Sequence, residues 1–274
     1  MRTVFVLIND LKRGKKLVET ALITGASGGI GYELAKQFAS HHFDLVLVAR
    51  SEGALLDVKV ELERLYGVKV KTIAMDLMPP DATNLLWERL GEMSTKVHVL
   101  VNNAGYGAYG PFAQREQEAL LGMVDLNIRA LTQLTRLALP AMIERGSGKI
   151  LNVASTAAFQ PGPLMAVYYA TKAYVLSFTE AIASEVRDQG ITVSALCPGP
   201  THTGFGKRAS FHPSLLFDRF GMDAEAVARV GYEGLMRGQT IVIPGIKNRL
   251  MTQSIRWFPR KLVTSIVRKL QEQR

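Results

Sequence analysis

Short apolar runs alternate with longer amphipathic stretches along most of the chain. The runs are rich in Val, Ile and Leu and almost wholly apolar, which is typical of strands buried on both faces of a sheet. They are Leu22–Thr24, Leu45–Ala49, Val68–Met75, Val97–Val101, Lys149–Val153, Thr192–Leu196 and Thr240–Ile243. The stretches between them have helical periodicity and are Gly29–Ser40, Ala54–Tyr66, Asp81–Met93, Glu116–Glu144, Met165–Gln189 and Asp223–Arg237. This alternation predicts right-handed βαβ units and a parallel sheet of about seven strands with helices on both faces.

The order of these elements predicts an α/β protein with a single doubly wound domain over residues 20–246. Residues 1–19 are interpreted as an N-terminal extension, residues 201–222 as a variable substrate lid, and residues 247–274 as a C-terminal extension. The apolar run Val4–Ile8 is far shorter than the roughly 20 residues of a transmembrane helix. Basic residues follow this run, whereas in a signal peptide they precede the apolar region.

The net charge of +9 is concentrated at the two ends of the chain. Residues 247–274 carry eight Lys or Arg against one Glu, residues 1–19 carry a net +3, and the body between them is at −1. A nearly neutral body argues against a nucleic-acid groove, and the basic ends favour contact with an anionic surface. The single cysteine, Cys197, excludes an intramolecular disulfide and is typical of a reducing compartment. We therefore expect a cytoplasmic protein, peripheral at a membrane surface if the basic tail binds one.

A glycine-rich turn, Thr24–Gly31 (TGASGGIG), lies between the first strand and the first helix. Glycines let a backbone turn tightly and approach a pyrophosphate, and the helix N-terminus offers unpaired N–H groups to it. The spacing differs from the common dinucleotide fingerprint. The candidate phosphate-binding residues are Gly25, Ser27, Gly28, Gly29, Ile30 and Gly31.

Further motifs follow the glycine-rich turn in a characteristic order. They are Asn102–Gly105 (NNAG), Asn127 within a long helix, Ser155 after the fifth strand, Tyr168–Lys172 (YYATK), Pro198–Gly199 and Thr203. Between Thr20 and Gly245 the chain thereby resembles the short-chain dehydrogenase/reductase family. The resemblance implies a Rossmann-type fold and hydride transfer between a nicotinamide cofactor and a carbonyl or alcohol, with no catalytic metal.

Tyr168 and Lys172 are four residues apart and therefore share one helix face. An ammonium near a phenol favours the phenolate, so we expect the pKa of Tyr168 to be lowered from about 10. The resemblance implies that Tyr168 is the general acid/base and that Lys172 also binds the nicotinamide ribose. It further implies that Ser155 hydrogen-bonds the substrate oxygen and that Asn127 holds a water for proton relay. Tyr169 is assigned to packing.

Arg50 and Ser51 stand at the end of the second strand. In NAD-binding proteins this position usually carries a carboxylate, which binds the adenosine ribose hydroxyls. A guanidinium can pair with a 2′-phosphate through two parallel hydrogen bonds, so this pair predicts NADP(H) rather than NAD(H). The resemblance implies further cofactor contacts at Asp76, Leu77, Asn103, Ala104, Gly105, Tyr168, Lys172, Pro198, Gly199, Thr201 and Thr203.

The predicted lid is rich in aromatic and aliphatic residues, which favours a lipophilic substrate such as an acyl thioester or another apolar ketone. These residues are Phe205, Phe211, Leu215, Leu216, Phe217 and Phe220, with Lys207 and Arg208 available for an anionic group. The alternative is that they only pack the lid.

The C-terminal extension has apolar residues at helical spacing after Pro259, and Trp257 and Phe258 lie just before the break. Basic amphipathic helices with aromatic anchors lie on membrane surfaces, but the pattern equally suits docking on the enzyme's own body or on a partner subunit. The resemblance also implies a homodimer or homotetramer.

Two other functions remain open at this point. A cofactor-sensing regulator can share the fold, but it should lack catalytic residues that are all present here. A lyase, epimerase or dehydratase can use the same Tyr and Lys, but such relatives normally have a larger C-terminal substrate domain.

Overall fold

The computed structural model describes residues 18–203 and 221–272. Its strands are β1 (Thr20–Thr24), β2 (Asp44–Ala49), β3 (Val70–Ala74), β4 (Val99–Asn102), β5 (Gly148–Val153), β6 (Ile191–Leu196) and β7 (Ile241–Val242). Its helices are α1 (Gly29–Ser40), α2 (Glu52–Tyr66), α3 (Ala82–Glu92), α4 (Gln117–Val124), α5 (Leu131–Arg145), α6 (Ala166–Glu185), α7 (Ala224–Met236), α8 (Ile246–Ser254) and α9 (Arg260–Gln271). Residues 1–17 and 204–220, which hold most of the predicted N-terminal extension and lid, lie outside the described residues.

The strands form one parallel sheet in the order β3-β2-β1-β4-β5-β6-β7. The chain runs outward from β1 to β3 and then returns to pair β4 with the other side of β1. In open α/β sheets such a reversal leaves a crevice at the carboxyl ends of the strands, where ligands bind. The doubly wound fold predicted from the sequence is therefore confirmed, and its crevice lies between the ends of β1 and β4.

Both faces of the sheet are covered by helices because successive strand residues point to opposite sides. On β1, Ala21 and Ile23 pack with side chains of α1, α2 and α7. Leu22, between them, packs with side chains of α3, α5 and the end of α6. All three strand residues are fully buried, so the sheet is a rigid platform for the loops at its carboxyl edge.

The long helix predicted over Glu116–Glu144 has an interruption that its apolar pattern does not reveal. A π-helical segment, Asp125–Ala130, joins α4 to α5. π-helical turns inside α-helices are rare and occur frequently at functional sites. This segment contains Asn127, which is 1% exposed.

The C-terminal extension forms two helices that are separated at Pro259, as the sequence predicts. One stripe of α9 is buried, namely Val263, Val267 and Gln271. Part of the extension is therefore docked on the body of the same chain, which was one of the options left open. Within residues 18–203 and 221–272, no helix combines the length and the apolar character needed to cross a membrane.

Candidate active site

A cavity of about 740 Å³ opens at the carboxyl edge of the sheet. It brings together nearly all the predicted site residues, and only Gly31 and Asn127 lie outside its lining. We name its two parts after their residues. The glycine end comprises Gly25, Ser27, Gly28, Gly29, Ile30, Arg50, Ser51, Asp76, Leu77, Asn103, Ala104 and Gly105. The tyrosine end comprises Ser155, Met165, Tyr168, Tyr169, Lys172 and Gln271, and the loop Pro198–Thr203 lies between the two.

The glycines of the turn between β1 and α1 serve different purposes. Gly25 has a φ of +67°, and a Cβ there would lie 2.8 Å from Nδ2 of Asn103. At Gly31 a Cβ would overlap the carbonyl oxygen of Gly25. At Gly28 a Cβ would meet nothing within 4 Å. Gly25 and Gly31 are therefore required by the packing of the turn itself, whereas Gly28 leaves its backbone open to the cavity.

Asn103 fastens this turn to the end of β4. Its Nδ2 donates hydrogen bonds to the carbonyl oxygens of Thr24 at 2.9 Å and Gly25 at 3.2 Å. The Thr24 hydroxyl accepts from the backbone N–H groups of Asn103 and Ala104, both at 3.0 Å. The turn is thereby held in place, and no side chain caps the N-terminus of α1 beside the cavity. Such a helix end favours an anionic group.

The far side of the glycine end carries Arg50, Ser51 and Asp76. Ser51 is the N-cap of α2, where its Oγ accepts from the N–H of Ala54 at 3.4 Å. A hydroxyl that accepts one hydrogen bond still has its own proton to donate. Arg50 is exposed at the cavity wall, and Oδ1 of Asp76 accepts from the N–H of Met78 at 3.0 Å. This wall therefore offers one cation and one hydroxyl donor to a ligand.

Ser155 and Tyr168 meet at the tyrosine end. Ser155 begins a short 3₁₀ helix, where its Oγ accepts from the N–H of Ala157 at 3.1 Å and donates to the carbonyl of Pro198 at 3.4 Å. Burial raises the pKa of Tyr168, and a side-chain hydrogen bond from Ser155 lowers it by a smaller amount. The predicted lowering of this pKa is wrong for the structure described, because removing the phenolate from water outweighs every favourable contact.

Lys172 lies beneath Tyr168 and is 6% exposed. Its Nζ donates to the carbonyl oxygen of Val153 at 2.7 Å and lies 5.8 Å from the centre of the Tyr168 ring. Burial lowers the pKa of Lys172 from 10.5 to about 8. Burial therefore has a larger effect on the pKa of Lys172 than Lys172 has on the pKa of the neighbouring Tyr168.

Asn127 lies behind the cavity wall and is fixed by hydrogen bonds. Its Oδ1 accepts from the N–H of Tyr106 at 3.1 Å. Its Nδ2 donates to the carbonyl of Tyr106 at 2.9 Å and to the hydroxyl of Thr171 at 3.0 Å. A Cβ on Gly105 would lie 2.9 Å from Oδ1 of Asn127 and 3.5 Å from Nζ of Lys172. Asn127 therefore joins the loop after β4 to the helix that carries Tyr168 and Lys172.

Gln271 reaches the tyrosine end from the last helix, and sequence reasoning missed it. Its Nε2 donates to the hydroxyl of Tyr169 at 2.5 Å, and its backbone carbonyl accepts from the hydroxyl of Tyr109 at 2.6 Å. Oε1 of Gln271 is buried with no hydrogen-bond partner. Tyr109, Tyr168 and Tyr169 all pack against Met165. Tyr169 therefore packs, as assigned, but its hydroxyl also joins α9 to the cavity.

The loop after β6 connects the two ends of the cavity. The side chain of Thr203 lies against Gly29, where a Cβ on that glycine would be 3.1 Å away. Thr201 pairs with Met222, so the first and last residues of the predicted lid are held together. A Cβ on Gly199 would lie 2.6 Å from the side chain of Asn248 in α8, so the extension packs on this loop too. The aromatic lid residues between positions 204 and 220 lie outside the described residues.

The described residues hold no group of three or more His, Cys, Asp or Glu arranged to bind a metal ion. The tyrosine end itself presents a phenol, a hydroxyl and a buried amine, beside a glycine-lined crevice suited to phosphates.

Two solved structures illustrate how far the fold is shared with known proteins. A short-chain dehydrogenase from Sphingobium yanoikuyae in complex with NADPH superposes with a TM-score of 0.80 at 32% identity, covering 90% of this chain and 95% of that one. A bulky-bulky ketone specific alcohol dehydrogenase from Comamonas testosteroni gives a TM-score of 0.75 at 30% identity, covering 88% and 93%.

Curated relatives match about two thirds of the chain. A very-long-chain 3-oxoacyl-CoA reductase of Laccaria bicolor is 40% identical over 192 residues, which are 69% of this chain and 56% of that protein. The human very-long-chain 3-oxoacyl-CoA reductase is 32% identical over 194 residues, or 69% and 62%. The match thus spans less than two thirds of the length of these relatives. The family model described as short chain dehydrogenase matches residues 19–212, and the chain therefore belongs to the short-chain dehydrogenase family.

Proposed function

We propose that this protein is an NADP(H)-dependent oxidoreductase that interconverts a lipophilic ketone and the corresponding secondary alcohol. The observation that carries the proposal is that Ser155, Tyr168 and Lys172 share one cavity with the glycine-rich turn. The preferred substrate class is a 3-oxoacyl thioester.

The residues of the glycine end fit NADP(H). Gly28 leaves room for a pyrophosphate, and the N-terminus of α1 stabilises its negative charge. Arg50 and Ser51 supply a cation and a hydroxyl for a 2′-phosphate. The Sphingobium yanoikuyae short-chain dehydrogenase, whose structure is in complex with NADPH, supports this choice of cofactor. When bound, the cofactor supplies or accepts the hydride, and its oxidised ring adds a positive charge near Tyr168.

Tyr168 acts as the proton donor to the substrate oxygen during reduction. The phenol is protonated at neutral pH, as reduction requires, but burial raises its pKa and so weakens it as an acid. Because a general acid works best with a pKa near the working pH, the positive charge of the oxidised nicotinamide ring would have to offset part of this rise. Ser155 has a single hydroxyl proton, and this proton would turn from the Pro198 carbonyl, 3.4 Å away, to the substrate oxygen as negative charge develops there. In the oxidation direction Tyr168 must first lose its proton, so that direction is favoured by higher pH.

Lys172 and Asn127 support this proton transfer. With a pKa of about 8, Lys172 exchanges protons near working pH and can reprotonate the phenol through solvent. Asn127 holds the loop after β4 against α6 through Tyr106 and Thr171, and it supports the water that relays protons from Lys172.

The proposed substrate class rests on the character of the tyrosine end and on the relatives. Met165 and the tyrosine rings give this end apolar walls, with Gln271 as a polar group among them. The relatives from Laccaria bicolor and human are named very-long-chain 3-oxoacyl-CoA reductases, and a very-long-chain acyl group is lipophilic. The expected role of Lys207 and Arg208 towards an anionic handle stays a prediction.

The proposal is tested by following NADPH consumption with purified protein. We expect 3-oxoacyl-coenzyme A thioesters of increasing chain length to be reduced more efficiently than simple aromatic ketones, and NADPH to be preferred over NADH. Equal efficiency with both cofactors, or preference for NADH, contradicts the cofactor assignment. Turnover of aromatic ketones alone contradicts the substrate class, and tight NADPH binding without any turnover favours the regulator. Homodimer or homotetramer formation stays a prediction, measured by analytical ultracentrifugation.

A further inference from the structure

The two C-terminal helices and the turn between them expose an unusual number of large apolar side chains. Among the described residues, 18 large hydrophobic side chains are exposed, and eight of them lie between positions 246 and 270. We call these eight the tail surface. Its members are Ile246, Leu250, Met251, Trp257, Phe258, Leu262, Ile266 and Leu270. Trp257 is 87% exposed and Ile246 is 79% exposed, so packing against the described residues explains neither of them.

The geometry of α9 shows that the body covers only part of its apolar face. Val263, Val267 and Gln271 recur every four residues and are buried. Leu262, Ile266 and Leu270 form the adjoining stripe, about 100° around the helix, and are about half exposed (47%, 49% and 53%). The helix therefore has two apolar stripes, of which one docks on the enzyme and the other faces outward.

The tail surface is surrounded by positive charge. Residues 246–272 carry seven exposed basic side chains, namely Lys247, Arg249, Arg256, Arg260, Lys261, Arg268 and Lys269. The acidic residue in this stretch, Glu272, is paired with Arg268 at 2.6 Å. Apolar side chains flanked by Lys and Arg, with a Trp between two helices, form the pattern that binds the interface of an anionic bilayer.

We propose that the tail surface binds an anionic lipid bilayer, with Trp257 and Phe258 inserted among the lipid headgroups. Charge decides between the possible occupants. A second copy docked face to face would bring two strongly basic surfaces together, which is unfavourable. The chain's own body already takes the other stripe of α9. An anionic bilayer satisfies both the apolar side chains and the bases.

The same helix connects the tail surface to the cavity. Gln271, at the end of α9, lines the tyrosine end and is hydrogen-bonded to Tyr169. Binding of α9 to a bilayer would therefore hold the tyrosine end close to the lipid phase. This last step rests on the proposed function, since a lipophilic substrate would then enter from the bilayer.

Vesicle flotation of the full chain, without cofactor or substrate, tests the proposal independently of any activity. We expect binding to vesicles of phosphatidylcholine with phosphatidylserine, weak binding to phosphatidylcholine alone, and loss of binding at high salt. The double variant Arg256→Gln with Lys269→Gln should weaken binding about 25-fold, since each base contributes about fivefold. The matched control, Arg64→Gln with Lys69→Gln, changes two exposed bases of the body and should bind like the unmodified protein.

Tryptophan fluorescence tests the placement of Trp257 directly. The chain has two tryptophans, so Trp87→Phe leaves Trp257 as the reporter. We expect a blue shift on addition of phosphatidylserine vesicles and quenching by lipids brominated near the headgroup. No flotation and no shift overturn the proposal. So does a shift that appears without lipid as protein concentration rises, because that result identifies a second copy as the occupant.

Discussion

The glycine end and the tyrosine end of the cavity are built in different ways. At the glycine end, backbone groups and short side chains from neighbouring loops fix one another, as Asn103 does to Thr24 and Gly25. At the tyrosine end, Tyr169 is fastened by Gln271, which is 102 positions further along the chain. Both sets of contacts join residues far apart in the chain, but the glycine end is held between the adjacent strands β1 and β4, whereas the tyrosine end depends in part on the C-terminal extension.

The largest expected effect is a loss of turnover that occurs on substitution of Tyr168 but not of Tyr169. Tyr168→Phe should lower kcat/KM by about 100- to 10,000-fold, because it removes the proposed general acid. NADPH affinity, measured by fluorescence titration, should change little because the glycine end is intact. Tyr169→Phe is the matched control and should keep most of the turnover. Similar losses in both variants would contradict the assignment of Tyr168.

The glycine end is tested by two substitutions of the same size. Gly31→Ala should lower the free energy of unfolding by about 1–3 kcal/mol, because its Cβ overlaps the backbone of Gly25. Gly28 has an extended backbone and open space around it, so Gly28→Ala should preserve stability yet weaken NADPH binding. Urea unfolding and NADPH titration measure the two effects. A stable Gly31→Ala protein would show that the turn is less rigid than described.

Buried Lys172 should make stability depend on pH at the tyrosine end. Its folded pKa of about 8 lies below the ordinary 10.5, so between these values the unfolded chain binds more protons than the folded one. The free energy of unfolding should therefore rise with pH above about 8, by at most about 1.4 kcal/mol per pH unit. Urea unfolding at pH 7, 8 and 9, compared with Lys172→Met, measures the difference. If the free energy of unfolding depended on pH in the same way in both proteins, titration of Lys172 would not be its cause.

The smallest expected effect concerns the link between α9 and the cavity. Gln271→Ala removes one hydrogen bond to Tyr169 and should raise KM for the substrate by about two- to tenfold. NADPH affinity should stay unchanged. Gln253→Ala, at an exposed position on α8, is the control. A parallel loss of cofactor affinity in Gln271→Ala would show that the two ends of the cavity are not independent.

The difference between features with a local motif and features without one explains what the sequence could predict. The strands, the doubly wound topology and the glycine-rich turn depend on local periodicity and on backbone geometry near each residue. Gly25 and Arg50 could be placed in the cavity because each follows a strand whose carboxyl end faces it. Gln271 carried no local motif. Its only signal is a polar residue four positions after Val267, on a stripe that is otherwise apolar and buried.

The electrostatics of the tyrosine end were harder to predict than its members. The spacing of Tyr168 and Lys172 correctly places them on one helix face, and Nζ lies 5.8 Å from the ring centre. The direction of the pKa shift of Tyr168 depends on how completely the fold removes water from the phenol, and spacing alone does not contain that information. The π-helical segment escaped prediction for a related reason, since apolar periodicity hardly changes when one turn widens.

That wider turn has an evolutionary consequence. A π-helical turn holds one residue more than an α-helical turn, and Asp125–Ala130 therefore stores an inserted residue without unfolding the helix. Loss of one residue here would leave α5 packed on the sheet but would rotate Asn127 by about 100° away from Tyr106 and Thr171. In this stretch the position of Asn127 depends on the length of the chain as well as on residue identity, so we expect a relative that is one residue shorter between 125 and 130 to have lost the Asn127 position.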